Sequence, residues 1–313
     1  MTNTTPSMLM DEQDKNSLKK SSGFWGMPRS WLFVPATRPE RFDKAVNSGA
    51  DAVIIDLEDA VESADKPQAR DHIAQYVTQS NNDKIKPTAK DENVRASGLW
   101  LRLNNNVHLA EDLVLCESLA SYDVIEGIVL PKVTKAAQIE SVFQSLKLPI
   151  VAQIESAVGI SQLDAIAQSE GLVALSYGRL DISNELDLTA GSKAEQDFFI
   201  QLRIQMRLIS KLYNLSAPIE SIYADFKDIA AMEATAGYAS DLGFSGMLCI
   251  HPLQVDIANR AFKASESQLA FAKKVIEHYQ QTGDSIFAIE GVMVDLPVIL
   301  QCQRLLQQIN LSN

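Results

Sequence analysis

Eight short apolar runs at regular intervals constrain the fold of this chain more than any other feature of its sequence. The first run begins at residue 31 and the last at residue 246, so the mean interval is about 31 residues, the length of a strand–helix–strand unit. Most runs lack strict polar–apolar alternation, which is typical of strands buried on both faces of a parallel sheet. The runs are 31–35, 52–56, 99–103, 127–130, 150–154, 172–177, 217–222 and 246–250.

The segments between the runs carry apolar residues at i, i+3, i+4 spacing, which predicts amphipathic helices. The clearest examples are 38–46, 136–146, 160–167 and 194–212. Eight such units predict an α/β fold, a TIM-type (β/α)8 barrel spanning residues 28–283. A doubly wound open sheet is the alternative that periodicity leaves open, although no Gly-x-Gly-x-x-Gly follows the first run.

The two ends of the chain differ from the barrel. Residues 1–27 are polar and are predicted to be a flexible leader. Residues 284–313 are predicted to form a C-terminal lid and oligomerisation segment, with an apolar stretch at 286–297 and a helix to about Gln308.

The charge balance limits the classes of partner. The chain has 28 Lys+Arg against 40 Asp+Glu, a formal net charge of −12. Such a surface repels phosphate backbones and anionic lipid, so we expect neither nucleic acid nor membrane as a partner. The chain has no apolar stretch of about 18 residues, so no transmembrane helix is expected, and residues 1–23 lack the apolar stretch of a signal peptide. Its three cysteines have no metal or disulfide spacing, so a cytoplasmic location is expected.

In a barrel of this kind, functional groups lie where the strands run into the loops that follow them. Carboxylates outnumber cations there, and a divalent cation would compensate converging negative charge. Glu155 and Asp181, after runs five and six, can each give one oxygen to Mg²⁺. No Cys or His pair has zinc-like spacing. The alternative is that each carboxylate caps the helix that follows it.

Arg102 follows the third run and carries a planar guanidinium suited to a substrate carboxylate. A salt bridge to Asp56 or Glu58 is the competing interpretation. The acidic residues after run two could in turn cap the next helix or pair with Lys66 and Arg70. Spacing alone does not decide between these alternatives.

A series of motifs, in order from about Pro28 to Pro297, resembles the citrate lyase beta-subunit-like family. This family belongs to the wider HpcH/HpaI aldolase group, which includes malyl-CoA and citramalyl-CoA lyases. The motifs are RSWLFVP (29–35), RPERFDKA (38–45), GADAVIIDLEDAV (49–61), LRLN (101–104), LPK (130–132), QIES (153–156), YGRLD (177–181), IHP (250–252) and GVMVDLP (291–297).

The resemblance implies a Mg²⁺-dependent carbon–carbon lyase on a TIM-type barrel, with Mn²⁺ as an alternative ion. The family's metal ligands correspond to Glu155 and Asp181. Its substrate-binding and catalytic arginine corresponds to Arg102, and a supporting acidic residue corresponds to Glu58. Asp295 corresponds to the acid/base residue of the family's lid.

The chain departs from the family's pattern beside the second ligand. The family's Gly-Ala-Glu-Asp-Leu reads Gly178-Arg-Leu-Asp-Ile here, so that Arg179 and Leu180 replace Ala and Glu. Gly178 and Arg179 fall at substrate-binding positions. Either the Arg179 side chain points away from the pocket, or it reshapes the pocket toward a more anionic or shorter substrate. Two smaller departures are Ala36 in place of Gly and Met247 in place of Lys.

The resemblance implies a 3-hydroxyacyl-CoA thioester as substrate, such as malyl-CoA or citramalyl-CoA, in equilibrium with a 2-oxo acid and an acyl-CoA. An aldolase acting on a free 2-oxo-4-hydroxy acid and a citryl-carrier lyase subunit without independent activity are the alternatives. In the family the lid reaches a neighbouring subunit, so a homo-oligomer, trimer or hexamer, is expected.

Overall fold

Eight parallel strands form the centre of the protein in the computed structural model, which describes residues 27–80 and 98–310. They are β1 (Ser30–Pro35), β2 (Ala52–Asp56), β3 (Gly98–Arg102), β4 (Ile125–Leu130), β5 (Ile150–Ile154), β6 (Leu172–Tyr177), β7 (Ile219–Glu220) and β8 (Gly246–Cys249). Their order is β6-β5-β4-β3-β2-β1-β8-β7. The Ser216 N–H donates to Val173 O at 2.9 Å, so β6 lies beside the segment that enters β7 and the barrel is nearly closed. The predicted barrel is confirmed, and the doubly wound sheet is excluded.

Helices surround these strands. They are α1 (Phe42–Val46), α2 (Lys66–Ser80), α3 (Leu109–Leu119), α4 (Ala136–Leu146), α5 (Ala157–Ser161), α6 (Leu163–Ala167), α7 (Arg179–Glu185), α8 (Lys193–Leu212), α9 (Ile229–Asp241), α10 (Val255–Ala261), α11 (Glu266–Thr282) and α12 (Leu296–Asn310). The segment predicted as one helix over 160–167 is instead two short helices, which meet at Gln162.

Apolar side chains fill the barrel interior in its lower part. Trp31 and Trp100 pack edge to face with ring centroids 4.9 Å apart. Each of the other strands contributes one residue to this buried cluster, such as Val151 of β5 and Ala174 of β6, except β2, which contributes Ala52 and Ile54. Because side chains alternate along a strand, the residues two positions later also face inward. The polar side chains at the barrel mouth therefore lie directly above this packed apolar layer.

The C-terminal segment forms a separate small cluster. A two-stranded antiparallel hairpin, β9 (Phe287–Ile289) and β10 (Val292–Val294), precedes α12. Val294, Ile299 and Cys302 pack on α11. The packing therefore groups α11 with the hairpin and α12, whereas the sequence-based boundary at residue 283 lies between them.

Two further predictions from the sequence concern the N-terminal leader and association with a membrane. Of the predicted leader, residues 1–26 lie outside the described residues. None of the helices within 27–80 and 98–310 combines the length and apolar character needed to cross a lipid bilayer.

Candidate active site

Asp56 and Arg102 form a bidentate ion pair at the barrel mouth. They end adjacent strands and are partners in the β2–β3 register. Arg102 Nε donates to Asp56 Oδ1 and Nη2 to Oδ2, both at 2.7 Å. The guanidinium carbon lies 4.7 Å from the centroid of the Phe33 ring. Burial alone would lower the pKa of Arg102, but Asp56 and Glu58 raise it above its ordinary value.

Glu58 extends this pair into a network of alternating charge. Its Oε2 lies 3.5 Å from Arg102 Nη1, and its Oε1 accepts a hydrogen bond from Lys132 Nζ. The same ammonium donates to Asp59 Oδ1 at 2.8 Å. Burial raises the pKa of Glu58 above its ordinary value, while the hydrogen bond from Lys132 and the charge of Arg102 oppose that rise. Lys132 therefore supplies part of the positive charge that offsets the effect of burial on Glu58.

Lys132 also reaches Glu155 through its backbone. Its φ of 52° lies in the left-handed region, a conformation that few residues other than glycine adopt. The Lys132 backbone N–H donates to Glu155 Oε2 at 3.1 Å. One residue thus contacts Glu58 with its side chain and Glu155 with its backbone.

The loop after β2 is fixed by a buried lysine. Lys66 Nζ donates to the backbone carbonyls of Leu57, Glu58 and Val61 at 2.8, 3.1 and 3.0 Å. The loop borders a cavity of about 510 Å³ that Glu58 and Lys132 also line. The alternative in which the carboxylates after β2 pair with Lys66 is not observed, because the three donors of Lys66 are used by carbonyls.

Glu155 is a buried carboxylate in a strongly perturbed environment. Its residue is 5% exposed. Burial raises the pKa of Glu155 to about 8; Arg102 and Lys132 oppose this rise, and the negative charges of Asp181 and Glu58 add to it. A site that disfavours a lone negative charge in this way favours a bound cation.

Neither Glu155 nor Asp181 caps a helix. The N-terminus of α5 is capped by Ser156, whose Oγ accepts from Gly159 N–H at 3.1 Å. Asp181 is the third residue of α7, and Gly178 is the N-cap. The capping alternative for both carboxylates is therefore wrong.

Gly178 allows Glu155 to lie against the end of β6. A Cβ added at Gly178 would lie 2.8 Å from Glu155 Cγ and 3.0 Å from Oε1. Any side chain there would push the carboxylate out of its place. The glycine is required by this close approach and not by its backbone conformation, because its φ is −96°.

The residues present fit a magnesium ion. No group of three or more His, Cys, Asp or Glu suited to a metal occurs within 27–80 and 98–310. Mg²⁺ typically takes only one or two protein carboxylates and completes its shell with water and substrate oxygens. Beneath Glu155, Gln153 Oε1 and Ser176 Oγ are buried without a hydrogen-bond partner, and these two residues are register partners. The donor set is therefore oxygen only, as a hard dication requires.

Arg179 does not share this cluster. Its Nη2 donates to Glu195 Oε2 at 2.8 Å, and its guanidinium carbon lies 5.0 Å from the centroid of the Phe199 ring. Both partners belong to α8. Of the two alternatives left open by the sequence, the structure shows an Arg179 side chain held against the outer helix.

Asp295 lies at the start of α12, where its Oδ1 accepts from Val298 N–H at 3.3 Å. Its predicted role as acid/base stays a prediction. His251 begins a short 3-10 helix, and its Nδ1 accepts from Leu253 N–H at 3.2 Å. The His251 ring also stacks on Phe226 with centroids 4.5 Å apart, so its observed contacts are structural.

The central position of Lys132 in the site was not predicted from the sequence. The motif Leu-Pro-Lys at the end of β4 pointed to the residue, but nothing in it revealed a left-handed backbone. Asp56 was named only as one of two partners for Arg102. The register of β2 and β3 selects it, and register is not visible in a single sequence.

Several known proteins are similar to this chain over most of its length. A citrate lyase subunit beta-like protein of Mycobacterium tuberculosis is 30% identical over 281 residues, covering 89% of this chain and 94% of that protein. A (3S)-malyl-CoA thioesterase of Cereibacter sphaeroides is 28% identical, covering 85% of this chain and 89% of that protein. An L-malyl-CoA/beta-methylmalyl-CoA lyase of Rhodobacter capsulatus is 29% identical, covering 91% and 95%.

Among solved structures, the CitE protein of Mycobacterium tuberculosis in complex with magnesium, acetoacetate and coenzyme A is similar to this chain. The TM-score is 0.71 at 28% identity, covering 92% of this chain and 99% of that chain. The family described as HpcH/HpaI aldolase/citrate lyase matches residues 29–252. The predicted carbon–carbon lyase of the citrate lyase beta-like type is thereby confirmed at the level of the family: the chain belongs to the HpcH/HpaI aldolase/citrate lyase family.

Proposed function

We propose that the protein is a Mg²⁺-dependent lyase that cleaves or forms a 3-hydroxyacyl-CoA thioester, such as malyl-CoA or citramalyl-CoA. The observation that carries the proposal is a pair of carboxylates at the barrel mouth: Glu155 directly follows β5, and Asp181 lies in the first turn of α7 after β6. The charges of Asp181 and Arg102 both act on Glu155. The bound magnesium, oxo acid and coenzyme A of the similar CitE structure support the same chemistry. The malyl-CoA lyase and malyl-CoA thioesterase among the relatives support a thioester substrate.

Glu155 and Asp181 would hold the ion, which when bound would act as a Lewis acid toward the oxygens of the 2-oxo acid. Asp56 occupies Nε and Nη2 of Arg102, so Nη1, which lies 3.5 Å from Glu58, remains to donate to substrate. The ion pair holds this donor in one orientation before substrate arrives, so that it can stabilise developing negative charge on a substrate oxygen.

In the cleavage direction the substrate hydroxyl gives its proton to solvent, and its C–O bond becomes the carbonyl of the 2-oxo acid as the adjacent C–C bond breaks. The bond electrons pass to the thioester fragment as an enolate. Asp295 would then donate a proton to the enolate carbon, and in condensation it would remove that proton. The absence of a side chain at Gly178 leaves room for the Glu155 carboxylate, beside which the oxo acid would bind.

We further propose that a second copy of the chain completes the site. Val292 and Met293 in the hairpin before Asp295 are 53% and 69% exposed, and Ile286, which directly precedes the hairpin, is 71% exposed. Apolar side chains exposed in one small element are typical of a protein contact. A homo-oligomer, trimer or hexamer, would cover them and bring Asp295 to a neighbouring barrel. The unpaired thiols of Cys116, Cys249 and Cys302 are consistent with a cytoplasmic enzyme.

The test is incubation of the purified protein with Mg²⁺ and malyl-CoA, citramalyl-CoA or a free 2-oxo-4-hydroxy acid. We expect equal amounts of 2-oxo acid and acyl-CoA from a thioester, and no turnover by Glu155→Gln. Turnover of the free acid alone would identify the aldolase alternative. Free CoA without oxo acid would indicate thioester hydrolysis, and turnover only with partner chains would indicate a carrier-dependent subunit.

A further inference from the structure

Glu195 is the centre of a buried polar cluster behind the candidate metal site. The residue is 4% exposed. Its Oε2 accepts from Arg179 Nη2 and from Gly191 N–H, both at 2.8 Å. Its Oε1 accepts from Ser183 Oγ at 2.8 Å. One carboxylate therefore joins α7, the loop after it and the first turn of α8.

The contacts on α7 flank the predicted metal ligand. Arg179 and Ser183 are four residues apart and lie on one face of the helix, whereas Asp181, between them in sequence, lies on another face. α7 has only seven residues, and Ile182 is the one that is fully buried. Besides this apolar contact, Arg179 N–H donates to Ser221 Oγ at 3.2 Å, and Glu185 Oε2 at the end of α7 accepts from Ala157 N–H at 3.0 Å. Glu195 adds two side-chain hydrogen bonds on the face of Arg179 and Ser183, so the rotation of α7 about its axis depends in part on Glu195.

The charge of Glu195 has a second consequence. Arg179 lies two residues from Asp181, and a guanidinium released from Glu195 would bring positive charge close to the metal site, where it would repel a bound cation. The hydrogen bond to Glu195 and the stacking on Phe199 hold the guanidinium on α8 instead. Glu195 therefore both helps to orient Asp181 and keeps the positive charge of Arg179 away from the metal site.

We propose that Glu195 is a positioning residue that sets the magnesium affinity of the site through α7. The inference rests on the proposed function, because it takes Asp181 as a ligand. It concerns a residue that contacts neither the ion nor the substrate. The bulky Arg179 is compatible with the site because Glu195 binds it.

The test measures Mg²⁺ affinity by titration calorimetry on the full chain, independently of turnover. For Glu195→Gln we expect affinity to fall at least about tenfold, with kcat recovering at saturating Mg²⁺. Ser183→Ala removes one hydrogen bond to the same carboxylate and should weaken affinity about two- to threefold without endangering folding. Arg179→Met combined with Glu195→Gln should recover part of the loss, because the freed guanidinium is gone.

Asp51→Asn is a matched control. Asp51 is also 4% exposed and accepts three hydrogen bonds from Arg29, but it precedes β2 at the opposite end of the barrel. It should lower the melting temperature and leave Mg²⁺ affinity unchanged. If Glu195→Gln and Ser183→Ala also lower the melting temperature and leave Mg²⁺ affinity unchanged, the proposal is overturned and the role of Glu195 is purely structural.

Asp181→Asn separates this proposal from the metal assignment. If Asp181→Asn abolishes Mg²⁺ binding and Glu195→Gln does not change it, only the positioning role of Glu195 fails. If Asp181→Asn leaves Mg²⁺ affinity unchanged, the metal assignment fails and the role of Glu195 fails with it.

Discussion

Asp56 holds Arg102 by two parallel hydrogen bonds of 2.7 Å across the β2–β3 register. The guanidinium is therefore oriented before any substrate binds. The side chain of Arg102 is 12% exposed and that of Asp56 is 2% exposed. Because the pair is buried, each charge depends on the other for compensation.

Arg102→Ala should destabilise the protein and abolish turnover. Removing one partner of a buried pair leaves the other charge uncompensated, which costs about 3–5 kcal/mol. The measurement is urea unfolding together with turnover. The control is Arg260→Ala, which breaks the exposed pair with Glu233 and should cost no more than about 1 kcal/mol. Equal losses for the two variants would contradict a preorganised Arg102.

Gly178→Ala should weaken Mg²⁺ binding while the protein remains folded. The new methyl would lie 2.8 Å from Glu155 Cγ, so the carboxylate must move. We expect an affinity loss of about tenfold or more, measured by calorimetry. Gly237→Ala is the matched control, because nothing lies within 4 Å of a Cβ at that α9 position. It should leave affinity unchanged and raise stability by up to about 1 kcal/mol. Unchanged Mg²⁺ affinity in Gly178→Ala would contradict the placement of Glu155.

The barrel could be predicted well from the sequence, because the apolar runs and the helical spacing that indicate it are local patterns that recur along the chain. The helix over Ala136–Leu146 has the predicted bounds, since its apolar stripe and flanking turns coincide. Strand seven is shorter than predicted, Ile219–Glu220 alone. Pro218 has no N–H to donate to a neighbouring strand. The Glu220 carboxylate accepts two hydrogen bonds from the guanidinium of Arg203. Only tertiary contacts could reveal that pairing.

The hairpin before α12 was missed although a signal was present. Glu290 and Gly291 both have left-handed backbones, with φ of 53° and 81°, and they connect two apolar strands. A two-residue turn of this type is a recognised hairpin pattern. Charge pairs between separate elements have no such local signal. Neither the pairing of Arg179 with Glu195 nor that of Lys132 with Glu58 follows from local sequence, since each joins separate elements.

Mg²⁺ affinity should rise with pH toward a plateau above about pH 8. Burial raises the pKa of Glu155 from an ordinary 4.5 to about 8, and a carboxyl must lose its proton to bind a metal. Binding at pH 7 should therefore release about one proton per ion. Calorimetry in buffers of different ionisation enthalpy measures that proton. An affinity that is flat between pH 6.5 and 8.5 would contradict Glu155 as a ligand.

The same pKa predicts how stability without metal depends on pH. A raised folded-state pKa means that the contribution of Glu155 is present below pH 4.5 and is lost as pH rises through about 8. The increase in melting temperature caused by Mg²⁺ should therefore be larger at pH 8.5 than at pH 6.5. Glu155→Gln should remove this difference.

Asp295→Asn should abolish turnover and leave Mg²⁺ binding and folding intact. Asn accepts a hydrogen bond as Asp295 does from Val298 N–H, so the cap of α12 is kept, while the acid/base group is lost. If a neighbouring copy supplies Asp295, mixing Asp295→Asn with Glu155→Gln chains should restore part of the activity through hybrid sites. Full turnover by Asp295→Asn would contradict its role in proton transfer.

The most direct test of the magnesium site is a crystal structure of the protein with Mn²⁺, which replaces Mg²⁺ and scatters anomalously, together with a 2-oxo acid. We expect one anomalous peak bound by Glu155 and Asp181, with the oxo acid completing the coordination shell and Arg179 still hydrogen-bonded to Glu195. A peak elsewhere, or none beside Glu155 at saturating Mn²⁺, would contradict it.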